Sequence, residues 1–381
     1  MVPKSSKSMV VHKAQSFQID PHAAISELRE KLNCPNMAGV VFFCSVDYDL
    51  EALGQELKST FSCPVVGCTT AGEIGPNGYS DHSITAFSME TENLEIHPFQ
   101  IPELDKCGAI ELEEISGRIK ETIRNRTSEL PDTKPFGFFL IDGLSLKEEQ
   151  IIGQLYYTLE SLPIVGGSAG GGANFDPTFV YFDGKFLANS ALFTLFITSH
   201  PFEVFRTQHF VPMEGKLVIT KAKPEERLVM EINGRPAAQE YARCLGLCND
   251  DLTSEVLAMH PVMLKLGGEY YVRSVMRKLD DGSLQFACAI DEGLVLTMAD
   301  GVDIIDNLQN SLDELSNRMN PQVIIGCECF FRKLEVMEKD IRDSISRIMS
   351  HHNVIGFHTY GEQIHSVHVN QTFTGVAIGA E

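Results

Sequence analysis

One pattern occurs three times along the chain: an apolar β-type run, an amphipathic helix, then a short glycine loop. The loops read VVGCTTAGE (Val65 to Glu73), VGGSAGGG (Val165 to Gly172) and VIGFHTYGE (Val354 to Glu362), each with a glycine five residues after the first. Gly67/Gly72, Gly166/Gly171 and Gly356/Gly361 therefore correspond. The apolar residues before each loop keep helical spacing: Leu50, Leu53, Leu57, Phe61; Ile152, Leu155, Leu159, Leu162; and Leu334, Met337, Ile341, Ile345, Ile348. Before each helix lies an apolar run, VVFFC from Val40, FGFFLI from Phe136 and VIIGCECF from Val323. These runs are too short to span a membrane and read as buried strands.

Alternating segments follow the loops, at Ser83 to Met89, Ala191 to Ile197 and Thr372 to Ile378, and read as further strands. A helical pattern also precedes each unit, clearest at Leu112, Ile115, Ile119, Ile123 and at Ile305, Leu308, Leu312, Leu315. Helices interleaved with strands predict a mixed α/β (α+β) fold of layered sheets flanked by helices, such as two packed sheets with helices outside. Its two halves would be built from the repeated strand–helix–glycine loop–strand unit. Unequal insertions and only three copies argue against a solenoid. We expect a flexible tail over residues 1–21, a first domain over 22–220 and a second over 221–381. KAKPEER, Lys221 to Arg227, suits an exposed linker. Beyond it, Asn233-Gly234 marks a turn before a helix at Pro236, and Asp280-Asp281-Gly282 a hairpin turn.

With 381 residues and 43% hydrophobic content, the chain can bury a sizeable core. Its formal charge of −21 would repel nucleic acid and anionic membranes, so neither is an expected partner. No apolar stretch approaches the roughly 20 residues of a membrane span, and MVPKSSKSM lacks the apolar core of a signal peptide. A cytoplasmic location is expected, and ten cysteines fit it as reduced thiols. Cys244/Cys248 and Cys327/Cys329 are close pairs, but no second pair at zinc-finger spacing accompanies them.

The sharpest polar constellation is the repeated Thr-x-Gly-Glu, with Thr70, Gly72 and Glu73 in one copy and Thr359, Tyr360, Gly361 and Glu362 in the other. The middle copy departs from it, with Ala169 and Gly172. These groups can surround a small polar ligand with hydroxyl, carboxylate and free backbone N–H groups. They can equally hold the loop, the hydroxyl and carboxylate satisfying unpaired N–H groups of a turn that needs glycine. GGSAGGGA at Gly166 to Ala173 lacks the Gly-Lys-Ser/Thr ending of a phosphate loop. Cys68 or Ser168 with His82 or His358 are the nearest thing to a nucleophile and base. Neither loop has the Gly-x-Ser-x-Gly strand-to-helix setting, so no enzymatic activity is expected.

PVVGCTTAGEI at Pro64 to Ile74, the SITAFSM strand and PIVGGSAGGG at Pro163 to Gly172 resemble the amino-terminal FIST domain. ERLVMEINGRPAAQEY, GGEYYVRSV and VIGFHTYGEQ followed by HVNQTFTGVAIG resemble the carboxy-terminal one. Together they cover nearly the whole chain after the tail. The resemblance implies an intracellular sensory protein for small ligands. DGSLQFACAIDEGLVLTMA and TYGEQ…HVNQTF are similar to the branch that binds haem and senses nitric oxide. Non-covalent haem b would then be the cofactor, and a sensor histidine kinase or a cyclic-di-GMP enzyme the partner. Haem needs an axial ligand, most often histidine. Of twelve histidines, His260, beside Pro261 and apolar VMLKLGG, and His368, at the head of HVNQTF, are the first candidates for the iron. His358 in the glycine loop joins them as a cofactor-binding candidate, whereas Asn370 goes with the Thr-x-Gly-Glu residues as a ligand-loop candidate. The alternative is a haem-free sensor, for example of an amino acid, using the Thr-x-Gly-Glu loops.

Overall fold

Side chains alternate between the two faces of a strand, so a run that is apolar at every position needs cover on both. All three runs have it. The computed structural model describes residues 9–130, 132–160, 162–172 and 174–379. It opens with β1 (Val10–Ser16), α1 (Pro21–Leu32), β2 (Met37–Ser45), α2 (Leu50–Thr60), β3 (Val65–Thr70), the hairpin β4 (Glu73–Gly75) and β5 (Gly78–Ser80), and β6 (Ile84–Glu90). A comparable succession follows: β7 (Leu94–Ile101), α3 (Ala109–Glu129), β8 (Lys134–Ile141), α4 (Glu148–Thr158), β9 (Ile164–Ser168), the hairpin β10 (Val180–Phe182) and β11 (Lys185–Leu187), and β12 (Ala191–Thr198).

β13 (Phe202–Thr207) leads into an inserted module. The module comprises β14 (Phe210–Pro212), β15 (Leu217–Lys223), β16 (Leu228–Ile232), β17 (Arg235–Pro236), α5 (Ala237–Leu245), α6 (Ser254–Met259), β18 (Val262–Leu266), β19 (Glu269–Arg273), β20 (Val275–Lys278), β21 (Leu284–Phe286) and β22 (Val295–Gly301). The chain then returns through α7 (Ile304–Met319), β23 (Pro321–Cys329), α8 (Phe330–Glu338), α9 (Arg342–His351), β24 (Val354–Thr359), the hairpin β25 (Glu362–Ile364) and β26 (Val367–Val369), and β27 (Phe373–Gly379).

Among the described residues three six-stranded sheets form, in the orders β1-β6-β2-β3-β10-β11, β26-β25-β9-β8-β12-β7 and β13-β27-β23-β24-β4-β5. In each, a parallel pair (β2/β3, β8/β9, β23/β24) is joined through helix. The following long strand returns antiparallel beside the first of the pair. The short hairpins are exchanged. β4–β5 extends the sheet of β24, β25–β26 that of β9, and β10–β11 that of β3, which closes a cycle among the three sheets.

Val41 and Phe43, Phe136, Phe138 and Leu140, and Val323, Ile325 and Cys327 point into one shared core between the sheets. Phe43 stacks on Phe357 of the third sheet with ring centroids 4.5 Å apart. The intervening residues, Val40 and Phe42, Phe139 and Ile141, and Ile324, face outward into separate layers against the helices. The inserted module has its own core around Val229, Tyr241, Leu284 and Phe286, under a nine-stranded sheet.

Several expectations change. Part of the expected tail is β1, which pairs antiparallel with β6 over Val10 to Ser16, while residues 1–8 lie outside the described ones. Three sheets rather than two surround the shared core. β15 runs across the expected boundary at residue 220. Strands from either side of it share sheets, β13 with β27 and β9 with β25. Arg227, at the end of the expected linker, is buried against Glu148 and Glu149. The third amphipathic helix is two, α8 and α9, with Asp340 left-handed between them and Met337 exposed.

Candidate functional site

The three glycine loops meet and bond to one another through their backbones. Ala71 N donates to His358 O and His358 N to Gly72 O; Ser168 N donates to Gly361 O and Tyr360 N to Ser168 O; Gly170 N donates to Thr69 O and Gly172 N to Thr70 O. The ring leaves no room for a side chain at Gly170. A Cβ at Gly170 would lie 2.3 Å from Ala71 N. Gly72 and Gly361 have φ of +127° and +137°, a backbone that favours glycine.

Within the ring, the two Thr-x-Gly-Glu copies build matching clasps. Thr70 Oγ1 donates to Glu73 Oε1 at 2.5 Å, and Ser83 donates to Glu73 Oε2 from N (3.1 Å) and Oγ (2.6 Å). Thr359 likewise donates to Glu362 Oε1, and Thr372 to Oε2 from N (3.2 Å) and Oγ1 (2.7 Å). Both carboxyls are fully buried. Burial outweighs these donors and pushes Glu73 up to about 7 and Glu362 up to about 8. Each carboxyl thus holds its own loop to the strand that follows.

Two cavities flank the ring. The first, of about 370 Å³, lies between the loops and the inserted module. Phe175, Phe330, Phe331 and Tyr360 line one side and Met276, Arg277, Gln285 and Phe286 of β20 and β21 the other. Phe175 and Tyr360 have ring centroids 4.9 Å apart, and Phe330 meets Tyr360 edge-on at 6.2 Å. Leu144, Leu146 and Phe175, all exposed, extend the apolar surface to the rim. Arg277 bonds Gln285 through Nε at 2.8 Å, and Arg227 is held by Glu148 (2.6 Å) and Glu149 (2.7 Å). The second cavity, about 260 Å³, has Asp47, Thr70, Gly72, Glu73, Asp81, His82 and Lys333 in its lining, together with Phe330. Lys333 Nζ donates to Ala71 O at 2.8 Å and pairs with Asp81.

Only some of the candidate residues reach these cavities. Thr359 and Tyr360 line the first cavity, and Thr70, Gly72 and Glu73 the second. Asn370 is buried away from both, its Oδ1 accepting from Ser274 N at 3.3 Å. His368 is buried against the inserted module: Gln363 Nε2 lies 3.0 Å from Nδ1, Ala287 O lies 3.4 Å from Nε2, and Arg273 bonds its carbonyl at 2.7 Å. His358 is fully buried with neither ring nitrogen hydrogen-bonded, edge-on to Tyr79 at 4.4 Å. Burial, then the charges of Lys333, Arg342 and Arg332, hold its pKa well below the usual histidine range. His260 caps α6 half-buried, its carbonyl taking the Tyr241 hydroxyl. None of the three lines either cavity, so their imidazoles do not fit an axial-ligand role there. Of the other reactive candidates, Cys68 is inside the core, Ser168 takes Gln363 Nε2 at 2.9 Å, and exposed His82 pairs with Asp47.

The aromatic wall escaped the sequence reading. Phe330 and Phe331 continue the apolar run from Val323 and look like more core until α8 turns them toward the cleft. A model of the FIST N domain matches residues 38–235, and one of the FIST C domain residues 237–365. An uncharacterized protein of Methanocaldococcus jannaschii is 24% identical over 352 residues, covering 82% of this chain and 67% of its own. Among the described residues, no helix is long and apolar enough to cross a membrane.

Proposed function

The chain belongs to the FIST family, and from that premise we propose that it is a sensory protein binding a small organic ligand in the aromatic cleft between the glycine loops and the inserted module. FIST domains are in general sensory domains of signalling proteins. The observation that carries this reading is the cleft itself. About 370 Å³ falls in the range of small-molecule sites, roughly 300 to 1,000 Å³, and the lining has their usual make-up, aromatic walls with a few polar groups. A ligand touching both Tyr360 and β20–β21 favours one arrangement of loops and module over others, which is how binding becomes a signal. The output is read by a separate partner; a sensor histidine kinase or a cyclic-di-GMP enzyme are the classes the resemblance implies.

The chain contains no tryptophan, so Leu144→Trp puts a single fluorescent reporter on the cleft rim. Amino acids and aromatic acids are titrated against it, with thermal unfolding of the unaltered protein alongside. A true ligand gives a saturable emission change and, at a hundredfold its Kd, about 2.7 kcal/mol of stabilisation. Met276→Trp, which fills the cleft, should abolish that stabilisation; its persistence would move the site elsewhere. Haemin is titrated in parallel. A stoichiometric Soret band that shifts with nitric oxide and is lost in His260→Ala or His368→Ala would replace this reading with the haem-based nitric-oxide sensor.

A further inference from the structure

Away from the cleft, three side chains of different chemistry meet at the edge of the first sheet. His12 lies on β1, Glu90 ends β6, and Cys34 follows α1 in the turn to β2. β1 and β6 are antiparallel with His12 opposite Ser88, which puts Glu90 on the same face one diagonal along. His12 Nε2 is 3.1 Å from Glu90 Oε2, and Cys34 Sγ is 3.8 Å from Ser88 Oγ. One nitrogen, one sulfur and one carboxylate oxygen all lie within 4.8 Å of one another, on residues that are each half-buried.

We propose that His12, Cys34 and Glu90 bind a divalent transition-metal ion, zinc being the best suited, which fastens the N-terminal strand to the turn after α1. Zinc takes this N, S and O set in a tetrahedron, and bonds of roughly 2.0 to 2.3 Å put its ligand atoms roughly 3.3 to 3.8 Å apart. The His12–Glu90 distance is already close to that, and Cys34 needs only a small inward movement. Charge also balances: thiolate and carboxylate neutralise a dication, neutral imidazole is the third ligand, and water completes the tetrahedron. The sulfur disfavours magnesium and calcium. Without metal, burial pushes the Cys34 thiol up, the Ser88 hydrogen bond opposes it and the Glu90 charge adds to it, so binding releases the thiol proton. Nothing at conventional zinc spacing announces the site, because sheet pairing and a helix turn bring the three together.

Cobalt(II) is the probe, since a bound thiolate gives it a charge-transfer band. Cys244 and Cys248 are exposed and could bind metal themselves, so the titration uses full-length protein carrying Cys244→Ser and Cys248→Ser. One equivalent should bind with the charge-transfer band and one proton released, and zinc should displace it. Cys34→Ser should abolish the band, while His12→Gln and Glu90→Gln weaken binding by about tenfold or more, since losing even an outer-shell partner costs that much. Circular dichroism of the variants separates loss of the site from loss of the fold. No saturable binding at micromolar protein, or a band that survives Cys34→Ser, overturns the proposal.

Discussion

Glu362 shows how far a buried carboxyl depends on its surroundings. Its pKa is raised to about 8, that of Glu73 to about 7, both from 4.5, with burial the leading cause. Over that interval the folded chain holds protons that the unfolded chain has lost. Stability therefore falls as pH rises from about 4.5 through 7 to 8, with a slope of up to about 1.4 kcal/mol per pH unit for each carboxyl. Glu362→Gln keeps a neutral hydrogen-bonding group and should flatten the upper part of that slope in urea denaturation measured from pH 5 to 9. An unchanged slope would mean that Glu362 is ionised throughout. Thr359 and Glu362 were legible as a motif. Thr372, which completes the clasp from ten residues further on, was not, because its role depends on where β27 begins. Glycine was legible too, though not its reason: a Cβ at Gly166 would lie 1.7 Å from Phe139 O on the neighbouring parallel strand. Gly166→Ala should destabilise by at least the 1 to 3 kcal/mol typical of overpacking, read as a lower thermal midpoint.

Among the elements, α8 ties the most together. Arg332 is fully buried, its Nε 3.1 Å from Glu328 Oε1 and its Nη1 2.7 Å from His209 Nδ1. Arginine can only donate, so His209 accepts at Nδ1 and donates from Nε2 to Glu335, 2.8 Å away. Tyr79 of β5 bonds the other oxygen of Glu328. One guanidinium thus joins an exchanged hairpin, the third sheet and the entry to the inserted module. Arg332→Met leaves Glu328 buried beside an apolar side chain and should cost about 3 to 5 kcal/mol in urea denaturation. A loss below about 1 kcal/mol would mean that the network adds little. Periodicity found α7 and the strands of the shared core, whose alternation is local. It missed the break between α8 and α9, since apolar residues at helical spacing continue across Asp340, and only packing shows that Met337 faces solvent.

Across the whole molecule, hairpin exchange makes the sheets interdependent. A fragment of residues 9–207 would lack β24 and β25, exposing the edge of β9 and leaving β4–β5 without a sheet, and would open the shared core at Ile325 and Phe357. It should be aggregated or poorly structured by circular dichroism and size exclusion; a monomeric fragment with native-like far-ultraviolet signal would show that the first two sheets suffice. Length, apolar content and local periodicity determined by themselves that this chain builds buried strands, amphipathic helices and glycine loops in succession, because each signal lies within a few consecutive residues. Which sheet each hairpin joins was decided only by the tertiary structure. A three-residue strand has too few side chains to specify its neighbour, and its backbone groups pair with whichever edge the packed core presents. The same holds for the cleft and for the His12–Cys34–Glu90 cluster, whose residues are distant in sequence and become neighbours only when the sheets close.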